Sequence, residues 1–144
     1  MCAERPQLVE VADAVQSWWD NGKTGDVMNV SMPTRFGKSL LATSFTVWLF
    51  LRDQSTRVLR ASYASELAET FGVQVKDQYL KFFERNGQRI PDVEGTRSRW
   101  SIDGQKQPNH AAVGIGGGIT GFGFDVAIVD DTAKNMLEAT SAAY

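Results

Sequence analysis

Strands that alternate with helices, a Gly-Lys-Ser turn that opens one of those helices, and an apolar strand ending in two carboxylates predict an α/β fold. The sheet is expected to be parallel and flanked by helices. The turn is SMPTRFGKS at 31–39 and the strand is FDVAIVDD at 124–131. With 144 residues, 42% of them hydrophobic, the chain can build one core and is too short for two ordinary domains.

Leu8, Val11, Ala12, Val15 and Trp18 or Trp19 recur at helical spacing, and DNGKTGD then ends that first helix with turn residues. DVMNVS at 26–31 reads as a short buried strand. After Ser39, the residues Leu40, Leu41, Phe45, Val47, Trp48 and Leu51 make a helix that is apolar over most of its circumference, as expected of one covered on two sides. RVLRAS at 57–62 is the next strand. Leu67, Phe71, Val75, Tyr79 and Phe82 or Phe83 then place one apolar stripe on a long helix, with Ser65 as its expected cap. From 86 to 104 the signal weakens into polar sequence punctuated by Pro and Gly, with a strand at 99–102. AAVGI at 111–115 is a further strand, GGGITGFG is a loop, and 124–131 is the buried strand that carries Asp130 and Asp131 at its end.

Composition excludes several classes. The 15 basic and 17 acidic side chains leave a net charge of −2, so attraction to a polyanion must be local. One cysteine, Cys2, rules out an internal disulfide, and with His110 the only histidine there is no cluster for a structural zinc. The longest apolar run, 47–51, is far too short to span a membrane, and the acidic, Pro-containing N-terminus is unlike a secretory signal. The cytosol is the expected compartment. Basic residues between Lys76 and Lys106 are interleaved with acids and read as a solvated face rather than a nucleic-acid track.

The turn at 31–39 follows a strand and opens a helix, the context that a phosphate-binding loop, or Walker A motif, requires. Gly37, Lys38 and Ser39 fit its pattern, while Met32 stands where the first glycine is expected. In such a loop the backbone N–H groups and the helix N-terminus cradle phosphate oxygens, a lysine reaches the β- and γ-phosphates, and the serine hydroxyl ligates Mg²⁺. VAIVDD reads as a Walker B strand, with Asp130 a Mg²⁺ ligand and Asp131 placed to orient or deprotonate water. The plainer alternatives are a helix start that happens to follow a strand, and a buried strand whose end carries two acids for solubility. Gly116, Gly118 and Gly121 match G-x-G-x-x-G, but the segment leads into a strand and not a helix, which rejects a dinucleotide fold. No H-R-D or D-F-G segment accompanies it, which rejects a protein kinase. It is either a hairpin loop or a loop beside nucleotide or DNA.

Taken together, SMPTRFGKSLLAT, RASYASELAETFGVQVKDQY, RWSIDG and GIGGGITGFGFDVAIVDDTAKNMLEATS resemble the ATPase domain of the phage terminase large subunit, the motor that packages DNA into viral heads. The resemblance runs from about Gln7 to Ser141. That family commonly has a phosphate loop without its first glycine, so Met32 is accommodated and Pro33 and Arg35 join the pattern. It implies a P-loop NTPase fold of the RecA-like (ASCE) kind, with ATP and Mg²⁺ as ligands. Lys38 and Ser39 are implied at phosphate and metal, Gly37 in the loop, Asp130 at the metal, Asp131 as catalytic carboxylate, Gln7 at the adenine, and Arg35 at the γ-phosphate. A basic residue is expected at 122, where Phe122 sits.

The resemblance also implies what is missing. In that fold, the strand after Walker B inserts between the Walker B and phosphate-loop strands, yet TAKNMLEATSAAY at 132–144 reads as loop and helix. A sheet without that strand leaves orphaned backbone groups, each costing about 1–3 kcal/mol when buried. The coupling motif, a later arginine finger and the nuclease domain are absent as well, so 1–144 is expected to be a partial ATPase domain truncated after the Walker B strand. Double-stranded DNA, a portal protein, a small terminase subunit and a homo-oligomeric ring are the implied partners, in host cytoplasm and without a membrane. Two alternatives stand beside this: a catalytically inactive prophage relic, and another P-loop, helicase-like DNA-dependent ATPase.

Overall fold

The computed structural model of the chain describes residues 6–33, 35–118 and 121–130. These form α1 (Pro6–Asn21), α2 (Lys38–Arg52), β1 (Val58–Ser62), α3 (Ser65–Arg85), β2 (Val93–Gly95), β3 (Arg99–Ile102), β4 (His110–Gly114) and β5 (Val126–Val129). The chain divides into two compact units, Met1–Phe45 and Thr46–Tyr144, so α2 belongs in part to each.

In the first unit, Leu8 and Val15 of α1 and Leu41 of α2 are buried together, with Val11, Ala12, Met28, Val30, Met32 and Phe45 packed against them. Trp19 meets Phe45 edge-on at 6.1 Å between ring centroids. After α1 the chain turns at Lys23, whose N–H donates to Asp26 Oδ2 at 2.7 Å. The following segment corrects the expected buried strand at 26–31. It keeps the two-residue alternation of an extended chain, with Met28, Val30 and Met32 turned to the core and Val27 82% exposed, but it joins no ladder among the described residues. Alternation reports which face is apolar; a strand also needs a neighbour to bond to.

The second unit carries a five-stranded sheet in the order β2-β3-β4-β1-β5. β1 lies between β4 and β5 and is parallel to both, whereas β3 runs antiparallel to β4 and β2 antiparallel to β3. The sheet is therefore mixed, which corrects the all-parallel expectation. Only seven positions, 103–109, connect β3 to β4, too few for the crossover that a parallel pair needs. Every residue of β1 is buried, as is usual where both faces of a strand are covered.

α3 packs on the sheet through Ala68, Gly72, Val75 and Tyr79. That stripe lies one position round from the expected one at its N-terminal end, because small residues and not Leu67 and Phe71 make the closest approach. A Cβ at Gly72 would stand 2.9 Å from His110 Cε1. The helix begins one residue earlier than expected: Ala64 is the N-cap, in extended conformation and with no side-chain hydrogen bond, and Ser65 is already helical. Beneath α3, Trp100 and His110 stack with ring centroids 5.2 Å apart and 5° between their planes, and Phe50 meets both Trp100 and Tyr79 edge-on at 5.6 and 6.0 Å. Asn109 locks this end of the sheet. Its Oδ1 accepts from Ile102 N–H at 2.8 Å, while Nδ2 donates to the carbonyls of Gln54 and Thr56 at 2.6 and 3.1 Å.

His110 is buried, and burial first and the nearby Arg60 charge second push its pKa from 6.5 down to about 3. The unfolded chain takes up this proton near pH 6.5 and the folded chain only near pH 3, so the stability contributed by neutral His110 is complete above 6.5 and is lost between the two. His110→Phe, which preserves the stack, is expected to remove a loss of about 1.4 kcal/mol per pH unit below pH 6. Denaturant midpoints of both proteins at pH 7, 5.5 and 4.5 measure the difference.

Candidate functional site

The loop that enters α2 is shaped by two left-handed residues, Arg35 at φ 66° and Gly37 at φ 94°. Glycine adopts this conformation freely, whereas arginine does so at a cost of about 1–3 kcal/mol, a strain that clusters at ligand sites. Phe36 N–H donates to the Pro33 carbonyl at 3.3 Å, closing the turn, and Leu41 N–H donates to the Gly37 carbonyl at 2.9 Å, starting the helix. Lys38 and Ser39 are thus the first two residues of α2, whose first turn carries no acid. The first N–H groups of a helix lack partners within it and carry partial positive charge, which suits an anion. Met32, in place of a loop glycine, packs its side chain into the core of the first unit.

Gln7 lies exposed in the first turn of α1, next to Leu8, which shares a core with Leu41 two residues beyond Ser39. The first turns of α1 and α2 are therefore tied together. Arg35 is exposed. The predicted carboxylate Asp130 belongs to the second unit. Asp130 follows β5 directly and is only 6% exposed. Its N–H donates to the Ala61 carbonyl at 2.9 Å, and its Oδ2 meets Arg60 Nη2 at 3.4 Å. Arg60 is 1% exposed, and its guanidinium lies 4.5 Å over the Phe71 ring. Asp131 lies outside the described residues, as do Thr34 in the loop and Ile119 and Thr120 in the glycine segment.

Arg60 is the residue that sequence reasoning missed. The signal was available: a charged side chain stands amid the apolar strand RVLRAS, two positions from Val58 and Ser62 on the same face of the pleat. Phe122 was read instead as a lost charge. It is a buried part of the cluster of Leu59, Ala61, Ala111 and Val113, and the guanidinium carbons of Arg57 and Arg99 lie 5.3 and 5.8 Å from its ring centroid. The glycine segment makes a turn after β4, where Ile115 N–H donates to the Ser62 carbonyl and Gly117 N–H to that of Gly114. Of the basic residues between 76 and 106, Arg89 pairs with Asp103 at 3.2 Å and Arg97 with Glu69 at 3.9 Å, both at the surface.

A comparison with curated proteins finds the terminase large subunit of Enterobacteria phage T3, 31% identical over 115 residues that cover 74% of this chain and 19% of the relative. The relation is terminase-like. The chain spans less than a fifth of the length of that phage protein. No family model matches the sequence, and no solved structure matches it. Among the described residues no helix is long and apolar enough to cross a membrane, and no group of three or more His, Cys, Asp or Glu could hold a metal ion. The Ser39 hydroxyl and the Asp130 carboxylate are hard oxygens, chemically of the kind that suits Mg²⁺, an ion usually held by one or two protein ligands together with phosphates and water.

Three substitutions test these local readings by chemical denaturation. Met32→Gly, which removes the anchor of the loop and loosens its backbone, is expected to cost about 1–3 kcal/mol. Phe122→Lys, which inserts an ammonium into a buried site beside two guanidinium groups, is expected to cost about 3 kcal/mol or more, whereas Phe122→Leu costs about 1 kcal/mol.

Proposed function

We propose that this chain is the nucleotide-binding part of a DNA-packaging terminase large subunit, binding ATP with Mg²⁺. The observation that carries the reading is the strained turn at Arg35 and Gly37, immediately before a helix that begins with Lys38 and Ser39. A non-glycine residue held at positive φ is costly, and a loop of this sequence recovers that cost by presenting backbone donors to phosphate. The terminase-like relation supports it.

In this proposal the loop binds the triphosphate, the Lys38 ammonium offsets charge on the β- and γ-phosphates, and Arg35 does so at the γ-phosphate. Ser39 and Asp130 hold the cation, which when bound polarises the phosphoryl oxygens and offsets developing charge. Asp131 orients the attacking water, and Gln7 recognises the adenine. The partners are double-stranded DNA, a portal protein, a small terminase subunit and further copies in a ring. The ladderless segment at 26–32 favours a second reading, in which this chain binds nucleotide without turning it over by itself. A helicase-like DNA-dependent ATPase would use the same loop with different partners.

Calorimetric titration of Mg·ATP into the chain, beside Lys38→Ala, tests the proposal. Saturable binding is expected, with at least a tenfold loss in the variant, as about 1.4 kcal/mol of charge-assisted contact would give. Phosphate release with and without double-stranded DNA then separates the turnover and binding-only readings. No binding by a monodisperse wild-type protein would refute both.

A further inference from the structure

An arginine at the centre of a fully buried strand calls for an explanation that packing does not give. Arg60 stands between Leu59 and Ala61 in β1, and its guanidinium is enclosed by the Phe71 ring at 4.5 Å and the Asp130 carboxylate at 3.4 Å. β1 grips residue 130 twice, through the Ala61 carbonyl that receives its N–H at 2.9 Å and through the guanidinium one residue earlier. Backbone and carboxylate of Asp130 are thereby both referred to the same strand. A carboxylate has about four lone-pair sites, so a guanidinium against one oxygen is compatible with ligation of a cation by the same group.

We propose that Arg60 is the positioning residue of Asp130, holding the carboxylate by Oδ2 in the orientation in which it ligates the cation of Mg·ATP. The inference rests on the nucleotide-binding function proposed above. Partners that orient a metal ligand from outside the coordination sphere commonly account for about 10–100-fold in metal affinity. The face of Phe71 adds a planar support that lysine cannot use equally, because an ammonium is a point charge without the flat fork of a guanidinium. Charge alone is therefore insufficient for the role.

The test compares ATP affinity in excess Mg²⁺ with ATP affinity in EDTA, for wild type, Arg60→Met, Arg60→Lys, Asp130→Asn and the double variant Arg60→Met/Asp130→Asn. The expected result is an EDTA affinity within about twofold of wild type throughout, with the strengthening by Mg²⁺ cut about tenfold in Arg60→Met, to the level of Asp130→Asn, and by less in Arg60→Lys. In the Asp130→Asn background, Arg60→Met should change it no further. Arg60→Lys keeps a charge against the carboxylate, and it decides the matter if Arg60→Met does not fold. An unchanged or greater Mg²⁺ strengthening in folded Arg60→Lys and Arg60→Met overturns the inference, the second outcome meaning that Arg60 competes with the cation. A wild type whose ATP binding ignores Mg²⁺ overturns the metal role of Asp130 and this inference with it. A Mg²⁺-dependent wild type with indifferent Arg60 variants overturns this inference alone.

Discussion

The guanidinium of Arg60 is the charge around which the second unit is arranged. Moving such a group out of water costs several kcal/mol, more than the roughly 1.5–3 kcal/mol returned by burying one large apolar side chain. The fold offsets it with an opposite charge at Asp130, directly after β1's neighbour β5, and with the aromatic face of Phe71 in α3. The same charge reaches His110 and helps to keep that imidazole neutral, which lets it lie flat against Trp100 in the apolar layer with Phe50. β1 lies beside β5, just before Asp130, and beside β4, which together with β3 carries the stack.

The turn before α2 solves a different problem. A tight turn needs curvature, and glycine is the usual source. Here curvature comes from Arg35 and Gly37, so position 32 is released from that duty and serves as an anchor. Met32 fixes one end of the turn in the core of the first unit while α2 fixes the other. A loop pinned at both ends can hold a strained residue between them.

Much of this was legible in the sequence, because α1, α2, α3 and the strands at β1, β3, β4 and β5 each carry a strong apolar pattern or a clear turn. β2 was not, being three residues long and largely exposed, with no periodicity to read. The segment at 26–31 shows the opposite failure, since its alternation is real and its ladder is absent. The helix stripe was displaced because Ala68 and Gly72 count for little on a hydropathy scale, although their smallness is what brings α3 down onto β4. Of the residues proposed for the site, Gly37, Lys38, Ser39 and Asp130 were singled out by motif, each at or beside the end of an element, where local sequence is informative. Arg60 belongs to no motif. Its role arises only from strand pairing across seventy positions of chain, as does the burial of Phe122 between two arginines.

The approach of Gly72 to the His110 ring also constrains how this sequence can vary. The imidazole cannot retreat, because Trp100 lies flat on it, and the helix cannot lift without uncovering Val75 and Tyr79. Volume at position 72 is therefore bound to volume at position 110 as a sum. Related chains that carry alanine or serine at the helix position should carry a smaller residue on the strand, and those that keep a ring on the strand should keep glycine. That reciprocity would appear in an alignment as covariation between two sites almost forty residues apart, with neither one part of any recognisable motif.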